Sequence, residues 1–153
     1  MISISEEVFE QGLIGELIDL GYEHLYGPDV PRVSNDYRDA FLFDTLEISL
    51  DRINRGLPKV AIREAIRIIT DVSDGSLYAR NERFHEYLQS GVQVSFFDGK
   101  EQTSTVVKLL DYENPMMNEF HVVNQWTFIE NQNKRPDVIL FVNGMPLVVR
   151  HLV

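Results

Sequence analysis

The chain has 153 residues, of which 44% are hydrophobic, as is typical of one globular domain with a single core. Its 14 basic and 24 acidic residues give a net charge of −10, which opposes nonspecific attraction to DNA and predicts weak binding of DNA by the chain alone. The absence of cysteine excludes disulfides and thiolate metal sites. The start, MISISEEVFEQ, lacks the features of a signal peptide, and no apolar run is long enough to span a membrane, so we expect a cytoplasmic protein.

The first half of the chain is predicted to be helical. Ser3 and Glu6 have the spacing of a capping box, and Gly21 lies where a glycine commonly ends a helix. Apolar residues at helical spacing predict three further helices, over Phe41–Ile53, over Ile62–Ile69 after Pro58, and over Asn81–Leu88. Residues 27–37 contain two prolines and are predicted to be a loop, and His24 is also placed in a loop.

The second half of the chain is predicted to form strands. Alternating or continuous apolar residues indicate five of them, over Val92–Phe96, Val106–Leu110, Phe120–Ile129, Val138–Val142 and Leu147–Val149. The first two are joined at Asp98-Gly99 and the last two at Asn143-Gly144, both hairpin-type turn pairs. Trp126 alternates with other apolar residues and is placed in the core. The predicted architecture is α/β, with N-terminal helices followed by a mixed sheet, in a single domain over residues 1–153.

Two segments carry a family resemblance. They are SEEVFEQGLIGELIDLGY near the N-terminus and, from Asn118 to Val149, NEFHVVNQWTFIENQNKRPDVILFVNGMPLVV. Together they resemble the N-terminal nuclease domain of the R (restriction) subunit of type I restriction enzymes. The resemblance covers residues 5–27 and about 92–149, and it implies a restriction-endonuclease-like fold of the PD-(D/E)xK type.

The resemblance also implies a function. In that family the R subunit cleaves double-stranded DNA with Mg²⁺, driven by ATP-dependent translocation, in a complex with methyltransferase and specificity subunits. No GxxxxGK[ST] motif occurs in this chain, so the motor domains of a complete R subunit are not part of it. The expectation is therefore a fragment or a truncated form of an R subunit.

Two acidic residues fit the metal site of this nuclease class, in which carboxylates hold Mg²⁺ against the scissile phosphate. Asp137 follows Pro136 at the start of an apolar strand, and Glu10 shares the apolar stripe of the first helix. The resemblance makes both of them metal ligands. For Glu10 an ordinary structural role, reaching water or capping a neighbour, stays open. Lys134-Arg135 is a small basic step beside Asp137 that suits either a phosphate or a solvated turn.

The other half of the family motif is missing. Where the family has Glu-x-Lys, this chain has His151 and Val153. Histidine binds hard Mg²⁺ poorly compared with carboxylate, and valine carries no charge, so we predict that the chain does not cleave DNA. A two-residue turn would pair Asp137 with Arg150, a three-residue turn would pair it with His151, and the sequence leaves both open.

The match fails after Val149, and this predicts truncation by a frame shift, a shortened gene or an engineered end. An alternative from another class is a noncatalytic binding or assembly module that retains the nuclease fold, which suits an acidic chain with a broken site. A third is a nonfunctional remnant that still folds. A sheet that lacks its following strands is expected to expose an edge and to self-associate.

Overall fold

The computed structural model describes the chain in six stretches, namely residues 5–31, 40–71, 77–126, 128–130, 132–134 and 138–150. The chain divides into two compact units, of which unit 1 comprises Met1–Phe41 with Glu119–Val153 and unit 2 comprises Leu42–Asn118. The predicted combination of α-helices with a mixed sheet is confirmed. The prediction of a single domain over residues 1–153 stays a prediction.

Among the described residues the α-helices lie in the first part of the chain, with one strand between the first two, and the remaining strands follow them. In chain order they are α1 (Glu6–Asp19), β1 (Glu23–Tyr26), α2 (Phe43–Ile53), α3 (Lys59–Thr70), α4 (Leu77–Ser90), β2 (Val92–Phe97), β3 (Gln102–Val107), β4 (Phe120–Asn124), β5 (Phe128–Glu130), β6 (Gln132–Lys134), β7 (Val138–Val142) and β8 (Met145–Arg150). None of these helices combines the length and the apolar character that crossing a membrane requires.

The N-terminal cap of helix α1 lies two residues later than predicted, at Ser5 instead of Ser3. The hydroxyl of Ser5, and not that of Ser3, accepts a hydrogen bond from the backbone N–H of Val8 at 3.3 Å. Ser3 lies outside the described residues. Gly21 has a φ of 103°, the left-handed conformation expected of the glycine that follows a helix.

Unit 1 is built on a four-stranded sheet with the order β1-β4-β7-β8. Strands β1 and β4 are parallel, and the pairs β4–β7 and β7–β8 are antiparallel. Strand β7 is a central strand, as predicted from its unbroken apolar sequence. Helix α1 covers one face, where a buried cluster of Ile14, Val122 and Val138 is joined by the partly buried Leu13, Leu17, Tyr22 and Leu140.

Two predictions about the strands of unit 1 are wrong. His24 does not lie in a loop but in β1, which forms because it pairs with β4, almost a hundred residues later in the chain. The predicted long strand Phe120–Ile129 is broken, because Gln125 has a φ of 54° and leaves the extended conformation. Trp126 is nevertheless in the core, 1% exposed, with its ring edge-on to that of Phe141.

Unit 2 follows the sequence prediction closely. Helices α2 and α3 pack against each other through fully buried residues such as Leu46, Leu50 and Ile62. Helix α3 packs on the antiparallel β2–β3 hairpin, whose turn contains the predicted Asp98-Gly99 pair. The return strand β3 begins earlier and ends earlier than the predicted Val106–Leu110. Helix α4 leaves His85 exposed, as its charged sequence predicts.

Candidate functional site

Glu10 is the most unusual residue of unit 1. Its side chain is 9% exposed, and its buried Oε1 atom has no hydrogen-bond partner among the described residues. Buried polar atoms in proteins nearly always have a partner, because an unpaired carboxylate in the interior loses hydration without compensation. A positively charged ligand such as a metal ion would supply the charge that compensates it.

The position of Glu10 follows from the packing of α1 on the sheet. Ile14 contacts Val122 and Val138, and the short connection after α1 reverses the chain so that the helix runs against β1 and β4. Glu10 precedes Ile14 by one helical turn, about 6 Å along the axis. Asn124 lies beyond Val122 in the same direction, about 7 Å along its strand. Glu10 and Asn124 are therefore at the same end of the sheet and on the same face.

Strand β7 begins at this same end. Asn124 pairs with Val138, the first residue of β7. Asp137 immediately precedes Val138 in the sequence, but Asp137 itself lies outside the described residues, as do His151 and Val153. Glu10 therefore lies at the end of the sheet where β7 begins, and Asp137 immediately precedes that strand in the sequence. The ligand roles of Glu10 and Asp137 stay predictions.

The turn between β7 and β8 contains two residues, yet the strands do not keep the register of a plain two-residue hairpin. Val142 pairs with Met145 across the turn, but a β-bulge then leaves Leu147 unpaired and Val138 pairs with Arg150. In a regular two-residue hairpin Val138 would have paired with Val149, one residue before Arg150. Bulges of this kind often lie beside active sites, where they re-aim side chains.

This register combines features of the two alternatives that the sequence left open, and the partner of Asp137 itself lies outside the described residues. The turn has two residues, which was the first alternative. The pairing of Val138 with Arg150 is the one expected from a three-residue turn, which was the second alternative. Asn143 and Gly144 have φ values of 52° and 80°, as the tight turn demands. The turn is fixed further because Asn143 exchanges two hydrogen bonds of 2.8 Å with the backbone of Glu119.

Three more polar residues lie at this end of the sheet. The Nε2 atom of His24 is 2.8 Å from the Oδ1 atom of Asn124, and the hydroxyl of Tyr26 donates to the Oε1 atom of Gln125 at 3.4 Å. The sequence analysis did not single out Asn124 or Gln125 and placed His24 in a loop. The only sequence signal was the interruption of an apolar strand by Asn124-Gln125, which periodicity alone does not identify as functional.

The described residues contain no cluster of three potential metal ligands among His, Asp and Glu. Asp137 and His151 lie outside that set. What the described residues offer is one buried carboxylate with an unpartnered oxygen, and carboxylate oxygen is the ligand type that Mg²⁺ prefers. Lys134 ends β6 and Arg135 lies outside the described residues, so the choice between a phosphate contact and a solvated turn stays open.

Comparison with known proteins identifies relatives along nearly the whole chain. Residues 3–150 match the family described as "Type I restriction enzyme R protein N terminus". The HindI endonuclease subunit of Haemophilus influenzae is 32% identical over 97% of this chain, and the putative MjaIXP endonuclease subunit of Methanocaldococcus jannaschii is 32% identical over 93%. The EcoprrI endonuclease subunit of Escherichia coli is 28% identical over 94%.

These relatives are longer proteins. The chain spans 15% of the length of the Haemophilus influenzae protein and 14% of the Methanocaldococcus jannaschii protein. The match nevertheless extends from the helix that carries Glu10, through β4 and β7, to the end of β8. The chain therefore belongs to the family of type I restriction enzyme R protein N termini.

Proposed function

We propose that this chain forms the nuclease-type metal site of a type I restriction enzyme R subunit and does not cleave DNA by itself. In this proposal the fold is of the PD-(D/E)xK class, residues 1–153 act as one domain, and Glu10 and Asp137 are the ligands of Mg²⁺. The observation that supports the proposal is the buried Oε1 atom of Glu10, which has no partner in the described parts of the chain, at the end of the sheet where β7 begins.

The residues present provide only part of the chemistry of phosphodiester hydrolysis. Bound Mg²⁺ supplies an activated water and neutralises charge on the phosphate. Glu10 contributes a carboxylate from α1, and Asp137 contributes a second from the segment before β7. His151 and Val153 replace the acid and the lysine of the family. Since each such group contributes about 3 kcal/mol to lowering the barrier, their loss reduces cleavage by several orders of magnitude.

The activities of the longer protein are also proposals for this chain. The relatives are named as endonuclease subunits, and the chain spans only 14–15% of the first two. Cleavage of double-stranded DNA, ATP-driven translocation and assembly with methyltransferase and specificity subunits would then belong to a longer subunit that contains this region. In that setting the chain contributes the nuclease fold and part of the metal site.

A second candidate function is a noncatalytic binding or assembly module. Two features favour this candidate. The net charge of −10 opposes binding of a polyanion such as DNA, and the replacement of Glu-x-Lys by His151 and Val153 removes groups needed for its cleavage. Such a module has no need to bind metal. Metal binding therefore separates the two candidates.

The experiment is a titration of the chain with Mn²⁺ by isothermal calorimetry, combined with a cleavage assay on supercoiled DNA. We expect wild type to bind Mn²⁺ without cutting DNA, Asp137→Ala to lose binding, and the double variant His151→Glu/Val153→Lys to nick DNA in Mg²⁺. The matched control is the double variant that also carries Asp137→Ala, which should not nick. Equal Mn²⁺ binding, or none, in wild type and Asp137→Ala would contradict the proposal and leave the assembly module as the better description.

A further inference from the structure

We infer that the groove between helices α2 and α3 of unit 2 is a docking site for a basic amphipathic helix of a partner protein. The groove has a volume of about 280 Å³, and the residues that line it are Asp44, Glu47, Ile48 and Asp51 of α2 together with Lys59 and Ile62 of α3. All of them belong to unit 2, whereas the candidate metal site is assigned to residues of unit 1. The inference therefore does not rest on the proposed metal site.

The apolar part of the groove includes a large side chain that is open to solvent. Ile48 is 61% exposed, although Leu46 and Leu50 of the same helix are fully buried. Single exposed apolar side chains are common on protein surfaces. Ile48, however, lines a concave surface together with Ile62, so an apolar side chain of a partner would gain contacts from both helices.

The charged part of the groove is mostly acidic. Asp44, Glu47 and Asp51 have the spacing i, i+3 and i+7, which places them along one face of α2. The lining thus has three carboxylates against the single ammonium group of Lys59, a formal charge of −2. Such a surface attracts a basic protein segment and repels the phosphates of DNA.

Two of these carboxylates have no counter-charge in the described parts of the chain. Glu47 lies 3.7 Å from the Nε atom of Arg63, in an exposed ion pair. The side chains of Asp44 and Asp51 make no hydrogen bond or ion pair with another described residue. Asp44 lies in the first turn of α2, where the helix dipole favours a negative charge, but Asp51 lies in the last turn, where the dipole opposes it. A cation of a partner would compensate Asp51 above all.

The spacing of Asp44 and Asp51 determines what the partner has to present. Residues seven positions apart on a helix are separated by about 10.5 Å along its axis. A partner helix that lies along α2 meets both carboxylates with two Lys or Arg residues that are also seven positions apart. It then places an apolar side chain between them, over Ile48. Recognition of this kind, with apolar anchors in a groove and charges at its rim, is common for amphipathic helices.

The test is a titration of the whole chain, in the presence of a chelator, with a fluorescein-labelled peptide of about 15 residues that is long enough to form a helix. The peptide has leucine at helical apolar spacing and lysine elsewhere, and binding is measured by fluorescence anisotropy. We expect it to bind wild type, and we expect no binding of a second peptide in which glutamate replaces each lysine. Asp44→Asn/Asp51→Asn should weaken binding about fivefold, through the loss of two exposed ion pairs. Ile48→Ser should weaken it several-fold, through the loss of apolar contact.

The matched control is Glu6→Gln/Glu7→Gln, which removes two negative charges from the exposed first turn of α1 and should bind the lysine peptide like wild type. If this control loses as much affinity as Asp44→Asn/Asp51→Asn, the attraction reflects only the net charge and the inference is wrong. It is also wrong if wild type binds neither peptide or both equally, or if Ile48→Ser binds like wild type.

A second measurement locates the bound peptide. In ¹H–¹⁵N NMR spectra of wild type, the lysine peptide should shift the amide signals of α2 and α3. Shifts confined to other elements would overturn the inference. The substituted side chains of Asp44, Ile48 and Asp51 are exposed, so the variants should fold, which their melting temperatures check. Because a chelator is present throughout, failure of this inference leaves the proposed metal site untouched.

Discussion

The two units differ in how they treat buried polar side chains. In unit 2 the amide of Asn54 donates to the carbonyls of Leu50 and Lys108 and accepts from the N–H of Lys108, each at 2.8 Å. Asn118 likewise accepts from the backbone N–H of Asp111 and donates to its carbonyl, both at 2.9 Å. These neutral amides take the place of missing backbone partners and serve the fold.

Unit 1 contains such an amide too, Asn143, but it also buries ionisable groups with atoms that have no partner among the described residues. Among the described residues these atoms are Oε1 of Glu10 and Nδ1 of His121, whereas unit 2 contributes only the hydroxyl of Ser49. A buried hydroxyl without a partner destabilises the fold, and a buried carboxylate without one destabilises it much more. The described amides of unit 2 complete the hydrogen bonding of the fold, whereas Glu10 is the buried group to which the proposed function assigns a metal.

The largest expected effect concerns Asn54, the buried amide of unit 2 whose hydrogen bonds complete the fold. Asn54→Ala removes three hydrogen bonds and leaves buried backbone groups unpaired, so we expect a loss of about 3 kcal/mol in the free energy of unfolding, measured by urea denaturation. Asn81→Ala, an exposed residue of α4, is the control and should change stability by about 0.5 kcal/mol or less. A loss of similar size in both variants would show that the Asn54 network is not what stabilises unit 2.

A smaller change in stability, of opposite sign, is expected for Glu10, the buried carboxylate of unit 1. Glu10→Leu replaces an unpaired buried carboxylate with an apolar side chain on an apolar stripe, so the chain should gain about 1–2 kcal/mol of stability in the presence of a chelator. The control is Glu16→Leu on the exposed face of the same helix, where no such gain is expected. Added Mn²⁺ should stabilise wild type and not Glu10→Leu. Destabilisation by Glu10→Leu in chelator would mean that Glu10 has a structural role.

The smallest expected effect concerns an exposed group that is fully satisfied. Hydrogen bonds from the backbone N–H groups of Glu101 and Lys100 lower the pKa of Asp98 below its usual 3.8. Because the folded-state pKa is lowered, this carboxylate stabilises the hairpin above the unfolded pKa, and the contribution disappears as the pH falls through the folded pKa. Asp98→Ala should therefore lower the melting temperature at neutral pH.

The same measurement repeated towards about pH 3 sharpens this prediction, because the difference between wild type and Asp98→Ala should shrink there. Asp98→Asn keeps an oxygen acceptor that does not titrate, so its stability relative to Asp98→Ala should not depend on pH. A deficit of Asp98→Ala that stays constant across the pH range would contradict the assignment to the carboxylate.

Most elements of unit 2 were predictable because their signals are local. The helical period of Ile62, Ala65 and Ile69 and the turn pair Asp98-Gly99 each depend on residues a few positions apart. In unit 1, the unbroken apolar run of β7 predicted a central strand for the same reason. The two quoted segments of the resemblance lie almost wholly in unit 1, and the family match confirmed the family.

For the candidate site too, the local features were predictable from the sequence and the long-range ones were not. The sequence by itself identified the family, singled out Glu10 by its place on an apolar stripe, and predicted that His151 and Val153 stand where the family has an acid and a lysine. Only the tertiary structure showed that Glu10 Oε1 is buried with no partner among the residues it describes, and that His24 bonds to Asn124, 100 positions later in the chain. The physical reason is that burial and pairing between distant strands depend on the packed fold, and no local period encodes them.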